Sequence, residues 1–259
     1  MDKITMLGTG HAMTSECFNT CFVYENEHGK MLVDTGGGQQ LVTQLRRADI
    51  KPHDISYVFL THRHTDHILG LPWLLRLRTR SLELHPLKII AHRKLCETSR
   101  ALLTLLLPET ADHIGKDLLF VPVEHAEKMS LLGRSFLFYD TRSDNVTQYG
   151  FAMTLADGRK FVFNGDVPYN EENKDMMRDT KWLMHEAFCL NFEKNFKMKK
   201  HSGVAEAAQY AAALKANGLI LVHGSDNELC CRKERYVCEA ARYFSGEIYV
   251  PNDLEILEL

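Results

Sequence analysis

A chain of 259 residues with 45% hydrophobic content can bury one large core and needs no disulfides to hold it. Its net charge of −3 gives no global basic field, so a nucleic-acid substrate would need a local basic patch. The most apolar run, residues 101–107, stops at Pro108, far short of the roughly 20 residues of a membrane span, so a soluble protein is expected.

The first residues lack the charged start and long apolar stretch of a secretory signal, so the mature protein is expected to begin at Met1. Seven cysteines without Cys-x-x-Cys spacing point to reduced thiols in a cytoplasmic protein. Adjacent Cys230-Cys231 fits a helix carrying small apolar residues as well as it fits a redox pair. Strands are predicted at 4–7, 21–24, 31–33 and 57–60, with a helix over 39–48. After His67, residues Leu69, Trp73, Leu74 and Leu77 share one helical face, and Arg76, Arg78 and Arg80 read as its solvated end. A strand over 87–91 and a helix over 94–107 follow.

Further strands are predicted at 118–121, 135–139, 151–155, 160–163 and 182–185, with Asp157-Gly158 a hairpin turn. An Ala-rich helix over 204–215 stops near Asn217-Gly218 and leads into a strand at 219–222. A helix over 232–244 and strands at 247–250 and 254–259 finish the chain. With no linker or repeat, residues 1–259 read as one α/β domain of two packed sheets with helices on their outer faces.

Chemistry concentrates after the strand at 57–60, in Thr61-His62-Arg63-His64-Thr65-Asp66-His67. Imidazole nitrogen and carboxylate oxygen at this density suit zinc and similar divalent ions. Asp144, Asp166 and His223 also follow predicted strands, so all four groups should share one rim of the sheets, enough ligands for two metal ions.

This pattern, with Asp34-Thr35-Gly36, Asn164-Gly165-Asp166 and the late His223, resembles the metallo-β-lactamase superfamily. Leu7-Gly8-Thr9-Gly10, Asp66-His67-Ile68-Leu69-Gly70-Leu71-Pro72, His185-Glu186-Ala187 and His201-Ser202 bring it closest to the ribonuclease Z-like and small phosphodiesterase branch. The resemblance covers nearly the whole chain and implies a four-layer αββα sandwich. It implies that His62 and His64 hold a first metal, that Asp66, His67 and His223 hold a second, and that Asp166 bridges them. Glu186 and His201 match a pair that passes a proton to the leaving group, and Asp34 would orient a ligand histidine.

Two departures matter. Counting back from Tyr149-Gly150-Phe151, Asp144 stands where the family supplies a third histidine to the first metal; Asp140 fits that spacing less well. An aspartate ligand moves the expected preference from zinc towards manganese or iron, and the alternative is a turn residue beside a weakened site. No insertion corresponds to the arm with which ribonuclease Z grips transfer RNA, so large structured RNA is not the expected partner. The segment Asn191–Lys200 interleaves Phe192 and Phe196 with Lys194, Lys197, Lys199 and Lys200, and reads equally as a phosphate- or base-holding segment and as a solvated lid. Family members often form homodimers.

The expected activity is metal-assisted hydrolysis of a small-molecule or short nucleotide phosphodiester, with Asp66 orienting or deprotonating water and His201, poised by Glu186, protonating the leaving group. Hydrolysis of a carboxylic, thio- or sulfate ester or lactone uses the same water, and a metal-dependent binding protein without turnover stays open. A di-iron reductase fits worse, because His64 stands where that motif carries Glu. His11, His28, His53, His85, His92, His113 and His125 are isolated and read as surface or packing residues, with His92 and His125 flanking strands that could line the cleft.

Overall fold

The computed structural model describes residues 1–79, 86–193, 200–227 and 229–259. Its strands begin with β1 (Lys3–Gly8), β2 (Cys21–Asn26), β3 (Gly29–Val33), β4 (Ile55–Phe59), β5 (Leu87–His92), β6 (Leu118–Val123) and β7 (Glu127–Leu131). They continue as β8 (Arg134–Asp140), β9 (Tyr149–Thr154), β10 (Lys160–Phe163), β11 (Trp182–Glu186), β12 (Gly218–Val222), β13 (Glu247–Tyr249) and β14 (Ile256–Glu258). The α-helices are α1 (Gln40–Arg47), α2 (Thr65–Ile68), α3 (Leu71–Thr79), α4 (Arg93–Leu106), α5 (Lys174–Met177), α6 (Val204–Ala213) and α7 (Leu229–Ala240).

Two seven-stranded sheets result, ordered β14-β1-β2-β3-β4-β5-β6 and β13-β12-β11-β10-β9-β8-β7. Strand alternation decides which side chain fills which layer. Ile4, Met6, Phe22, Tyr24 and Phe59 point between the sheets, where they meet Phe136, Phe138, Phe151, Phe161 and Phe163. Their neighbours Leu7, Val23 and Val58 face outward against Leu41 and Leu45 of α1, Leu74 of α3 and Leu95 of α4. On the far side, Val162, Leu183 and Leu219 meet Met177, Ala207, Ala208 and Ala211, the small residues letting α6 lie close to its sheet. These three apolar interfaces separate four layers, so the αββα sandwich expected from the sequence is present.

Parallel pairing sets where the chemistry falls. β3, β4 and β5 run parallel in one sheet, and β10, β11 and β12 run parallel in the other. The residues after β3, β4, β10 and β12, together with Glu186 at the end of β11, therefore emerge at carboxyl ends of strands, where open sheets present ligand sites.

The helix expected after His67 is two pieces. Gly70 stands between α2 and α3, and a Cβ there would lie 1.9 Å from the Thr35 carbonyl oxygen. The break turns Trp73 outward, leaving it 41% exposed, while Leu74 stays in the core. Arg78 is buried rather than solvated and donates to the carbonyls of Pro52 and Ile55, tying α3 to the start of β4; Arg80 lies outside the described residues. The sequence reading also missed β7. It pairs with β8 through Leu132-Gly133, both at positive φ, as a tight two-residue hairpin requires. The Ala-rich helix ends at Ala213, two residues earlier than expected, and Lys215 takes the left-handed conformation. No helix among the described residues is long and apolar enough to cross a membrane.

Candidate metal centre and active site

Asp34, which follows β3, anchors the histidine motif that follows β4. Its backbone is left-handed (φ 55°), and its side chain is almost fully buried. One carboxylate oxygen accepts the Thr61 N–H at 2.9 Å; the other accepts the Thr61 hydroxyl at 2.8 Å and His67 Nδ1 at 2.7 Å. Thr35 adds its N–H and hydroxyl, each 2.7 Å from the His67 carbonyl. With Nδ1 engaged, His67 turns Nε2 inward as its free ligating atom.

The second sheet supplies the opposing groups. Gly165 adopts φ +81°, and a Cβ would meet the Gln148 side chain at 2.1 Å, so the turn that aims Asp166 requires glycine. Asp166 Oδ2 then lies 3.6 Å from His62 Nε2, 3.4 Å from His67 Nε2 and 3.5 Å from His223 Nε2. His223, at a left-handed φ of 57° directly after β12, also reaches Asp66 Oδ2 at 3.8 Å, and His67 Nε2 approaches the same oxygen at 3.1 Å. His62 Nε2 and His64 Nδ1 are 2.8 Å apart, with His62 buried and His64 exposed.

Beside them, Glu186 accepts His201 Nδ1 at 2.6 Å and the Ser202 N–H at 2.7 Å, and lies 3.7 Å from His223 Nδ1. Phe188 stacks on His201 at 4.9 Å between ring centroids.

The electrostatics follow from burial and opposed charges. Burial pushes His62 down to about 3. It works the same way on His67, but the Asp34 and Asp166 carboxylates outweigh it and hold His67 well above its ordinary range. Burial would raise Asp66 and Asp166, yet the close imidazoles of His223 and His67 hold Asp66 far below the carboxylate range. The charges of His62 and His67 do the same for Asp166. His201 is raised despite burial, because Glu186 bonds and faces it. His11 is pushed down to about 4 by burial and by His223.

Among the described residues, three groups have ligating atoms close enough to share an ion: His62, His67 and Asp166; Asp66, His67 and His223; and Glu186, His201 and His223. His67 Nε2, Asp166 Oδ1 and both ring nitrogens of His223 are buried without a hydrogen-bond partner. Buried carboxylates packed against imidazoles with orphaned nitrogens fit divalent cations, since such groups are costly to bury with nothing to satisfy them.

Of the residues singled out in the sequence, His62, Asp66, His67, Asp166, His223, Glu186 and His201 converge, and His64 joins through His62. Asp144 does not: it is exposed and belongs to none of the three groups. His92 lines a pocket of about 180 Å³ with Arg63, Lys94, Thr98, Asn145 and Thr147, whereas His125 accepts the Asp140 N–H. Lys200 donates to Asn145 at 3.2 Å, while Lys194, Phe196, Lys197 and Lys199, His85, and the side chain of Phe192 lie outside the described residues. His11, read as an isolated residue, stands in the site, stacked on Phe188 at 4.3 Å with its ring 6.2 Å from that of His223. It follows Leu7-Gly8-Thr9-Gly10 just as His223 follows β12, so a histidine placed soon after a strand was the available signal.

A ribonuclease Z of Thermobifida fusca is 26% identical over 298 aligned residues, spanning 97% of this chain and 93% of its own. The metallo-β-lactamase fold protein YhfI of Bacillus subtilis superposes with a TM-score of 0.80 at 17% identity, covering 100% and 99% of the two chains. The short form of human tRNase Z gives 0.76 at 22% identity, covering 99% and 98%. The chain is a metallo-β-lactamase-fold hydrolase of the ribonuclease Z-like branch. Within that fold, the match of residues 2–242 to the family described as Anti-Pycsar protein Apyc1 makes this chain a member of that family.

Proposed function

We propose that the chain is a phosphodiesterase with a dinuclear metal centre, acting on small or short nucleotide substrates. The observation that carries it is the position of Asp166 Oδ2, within 3.4–3.6 Å of three imidazole nitrogens drawn from both ligand sets. His62 and His64 would hold a first ion and Asp66, His67 and His223 a second, with Asp166 shared between the two sets. Asp144 completes the first set only if its loop swings inward. Nitrogen and oxygen donors suit zinc, and an Asp144 ligand would favour manganese or iron. Such a pair of cations supplies Lewis acidity and lets water ionise near neutral pH.

The chain's own groups do the rest. Asp66, held as a carboxylate by His67 and His223, orients the attacking water, whose proton passes to solvent. As the water oxygen bonds to phosphorus, the bond to the leaving group breaks. His201, oriented by Glu186, gives its proton to the departing alkoxide. Beside the motif, the pocket shared by Arg63 and Lys94 has no carboxylate in its lining, and neither cation makes an ion pair among the described residues. Two unpaired cations favour an anionic diester over a neutral ester or lactone. The alignment to the Thermobifida relative is longer than this whole chain, so that relative carries segments absent here, in keeping with a short substrate.

Elemental analysis of protein purified without chelator should find about two divalent ions per chain. Asp66→Ala and His64→Ala should lose nearly all turnover of bis(p-nitrophenyl) phosphate. Metal-free protein that no supplementation loads, or variants with wild-type rates, would defeat the proposal.

A further inference from the structure

Nothing in the mechanism above uses His11, yet its backbone and its ring are both held in place. Its N–H bonds the Gly224 carbonyl at 3.2 Å and Gly10 bridges Gly224, so the loop that carries His223 also fixes His11. Asp226, on that same loop, clamps the Ser15 and Glu16 N–H groups at 2.6 and 2.8 Å. The His11 carbonyl accepts the Thr14 hydroxyl at 2.8 Å and the Asn19 amide at 3.0 Å.

The ring is fixed as well. Phe188 lies between two imidazoles, stacked on His11 at 4.3 Å and 17° and on His201 at 4.9 Å and 21°. The Met13 N–H donates to His11 Nδ1 at 3.1 Å. A nitrogen that accepts carries no proton, so the ring's hydrogen sits on Nε2. His11 is only partly buried, and its Nε2 is not among the enclosed polar atoms that lack a partner.

We infer that His11 is a further catalytic residue of this site, a neutral imidazole whose Nε2–H donates to a phosphoryl oxygen of the substrate beside His201. The inference rests on the phosphodiesterase reading. A donor fixed before substrate arrives needs no reorganisation as charge develops, the condition under which one hydrogen bond contributes most. Its role differs from that of His201. A ring whose Nδ1 is already engaged serves as a hydrogen-bond donor, so its loss should weaken catalysis whatever the leaving group.

The test pairs kinetics with a readout that needs no turnover. His11→Phe keeps a ring against Phe188 and removes the donor, while His11→Gln restores an N–H. With metal content and melting temperature close to wild type, His11→Phe should lower kcat by roughly 10²-fold with little change in KM. The loss should be equal for bis(p-nitrophenyl) phosphate and for uridylyl-uridine, and His11→Gln should recover part of it. In zinc-loaded wild-type protein, ¹⁵N NMR should report His11 as the Nε2–H tautomer and show that resonance moving when inorganic phosphate is added. Wild-type kcat in His11→Phe, or a His11 ring indifferent to phosphate, overturns the inference. If wild-type protein cleaves neither diester, the phosphodiesterase reading fails by itself, and the phosphate titration still decides whether His11 is a donor.

Discussion

Nδ1 of His201 lies 2.6 Å from Glu186, whose second carboxylate oxygen accepts the N–H of Ser202, the residue next to His201. Glu186 thus fixes both the ring and the backbone that carries it, from a fully buried position at the end of β11. Glu186→Gln keeps the shape and removes the charge that holds the proton on His201. Turnover of a diester with an alkoxide leaving group should fall about 10²-fold, and that of p-nitrophenyl esters, whose leaving group needs no proton, much less. Equal losses on both would reduce Glu186 to a structural role.

Asp34 should act on metal affinity rather than on the reaction. Its replacement by Asn leaves the Thr61 bonds largely intact but places an amide where His67 Nδ1 needs an acceptor. Chelator competition should show metal affinity reduced by about 10–100-fold. Because binding to the folded state alone raises stability, the variant should also gain less in melting temperature on zinc addition than wild type does. Unchanged affinity would mean that His67 keeps its orientation from Thr35 alone.

Asp144 makes a contrasting case. Exposed and apart from the buried groups, it should be replaceable by Ala with stability changed by no more than about 0.5 kcal/mol. His62→Ala should empty the first metal position, whereas Asp144→Ala should leave metal content at the wild-type level. If Asp144→Ala loses an ion as completely as His62→Ala, the loop carrying Asp144 closes on the metal in solution.

The contrast marks what the sequence made legible. His62, His64, Asp66 and His67 fall within six residues after a clear apolar strand, so local spacing alone predicts their convergence. Asp166 and His223 were legible because each follows a strand in a parallel set, and parallel strands share one carboxyl edge. Asp144 follows β8, which pairs antiparallel with both neighbours, so no such rule fixes where its loop points. His11 stands isolated in the sequence, and the Gly10–Gly224 bridge that brings it to His223 spans most of the chain. Burial of Arg78 was hidden for a related reason, since its partners are two backbone carbonyls with no sequence signature.

Asp2 joins the two sheets through partners outside the site. Its carboxylate accepts the Tyr24 hydroxyl from β2, Arg134 Nε from β8 at 3.0 Å and the Ala156 N–H at 2.8 Å. Burial opposes its charge, but these three donors outweigh burial and hold its pKa below the ordinary 3.8. Lowering in the folded state means that the carboxylate's contribution is complete above the unfolded value and is lost as pH falls through the folded one. Asp2→Asn should therefore cost about 1–3 kcal/mol at neutral pH, measured by urea denaturation. Towards acid the difference should shrink, so wild type should lose stability more steeply than the variant below about pH 4. Parallel pH profiles for the two proteins would show that Asp2 is not held as an anion. The metal centre should be indifferent: chelator competition on Asp2→Asn should return wild-type affinity, since no residue that bonds Asp2 also bonds a ligand histidine.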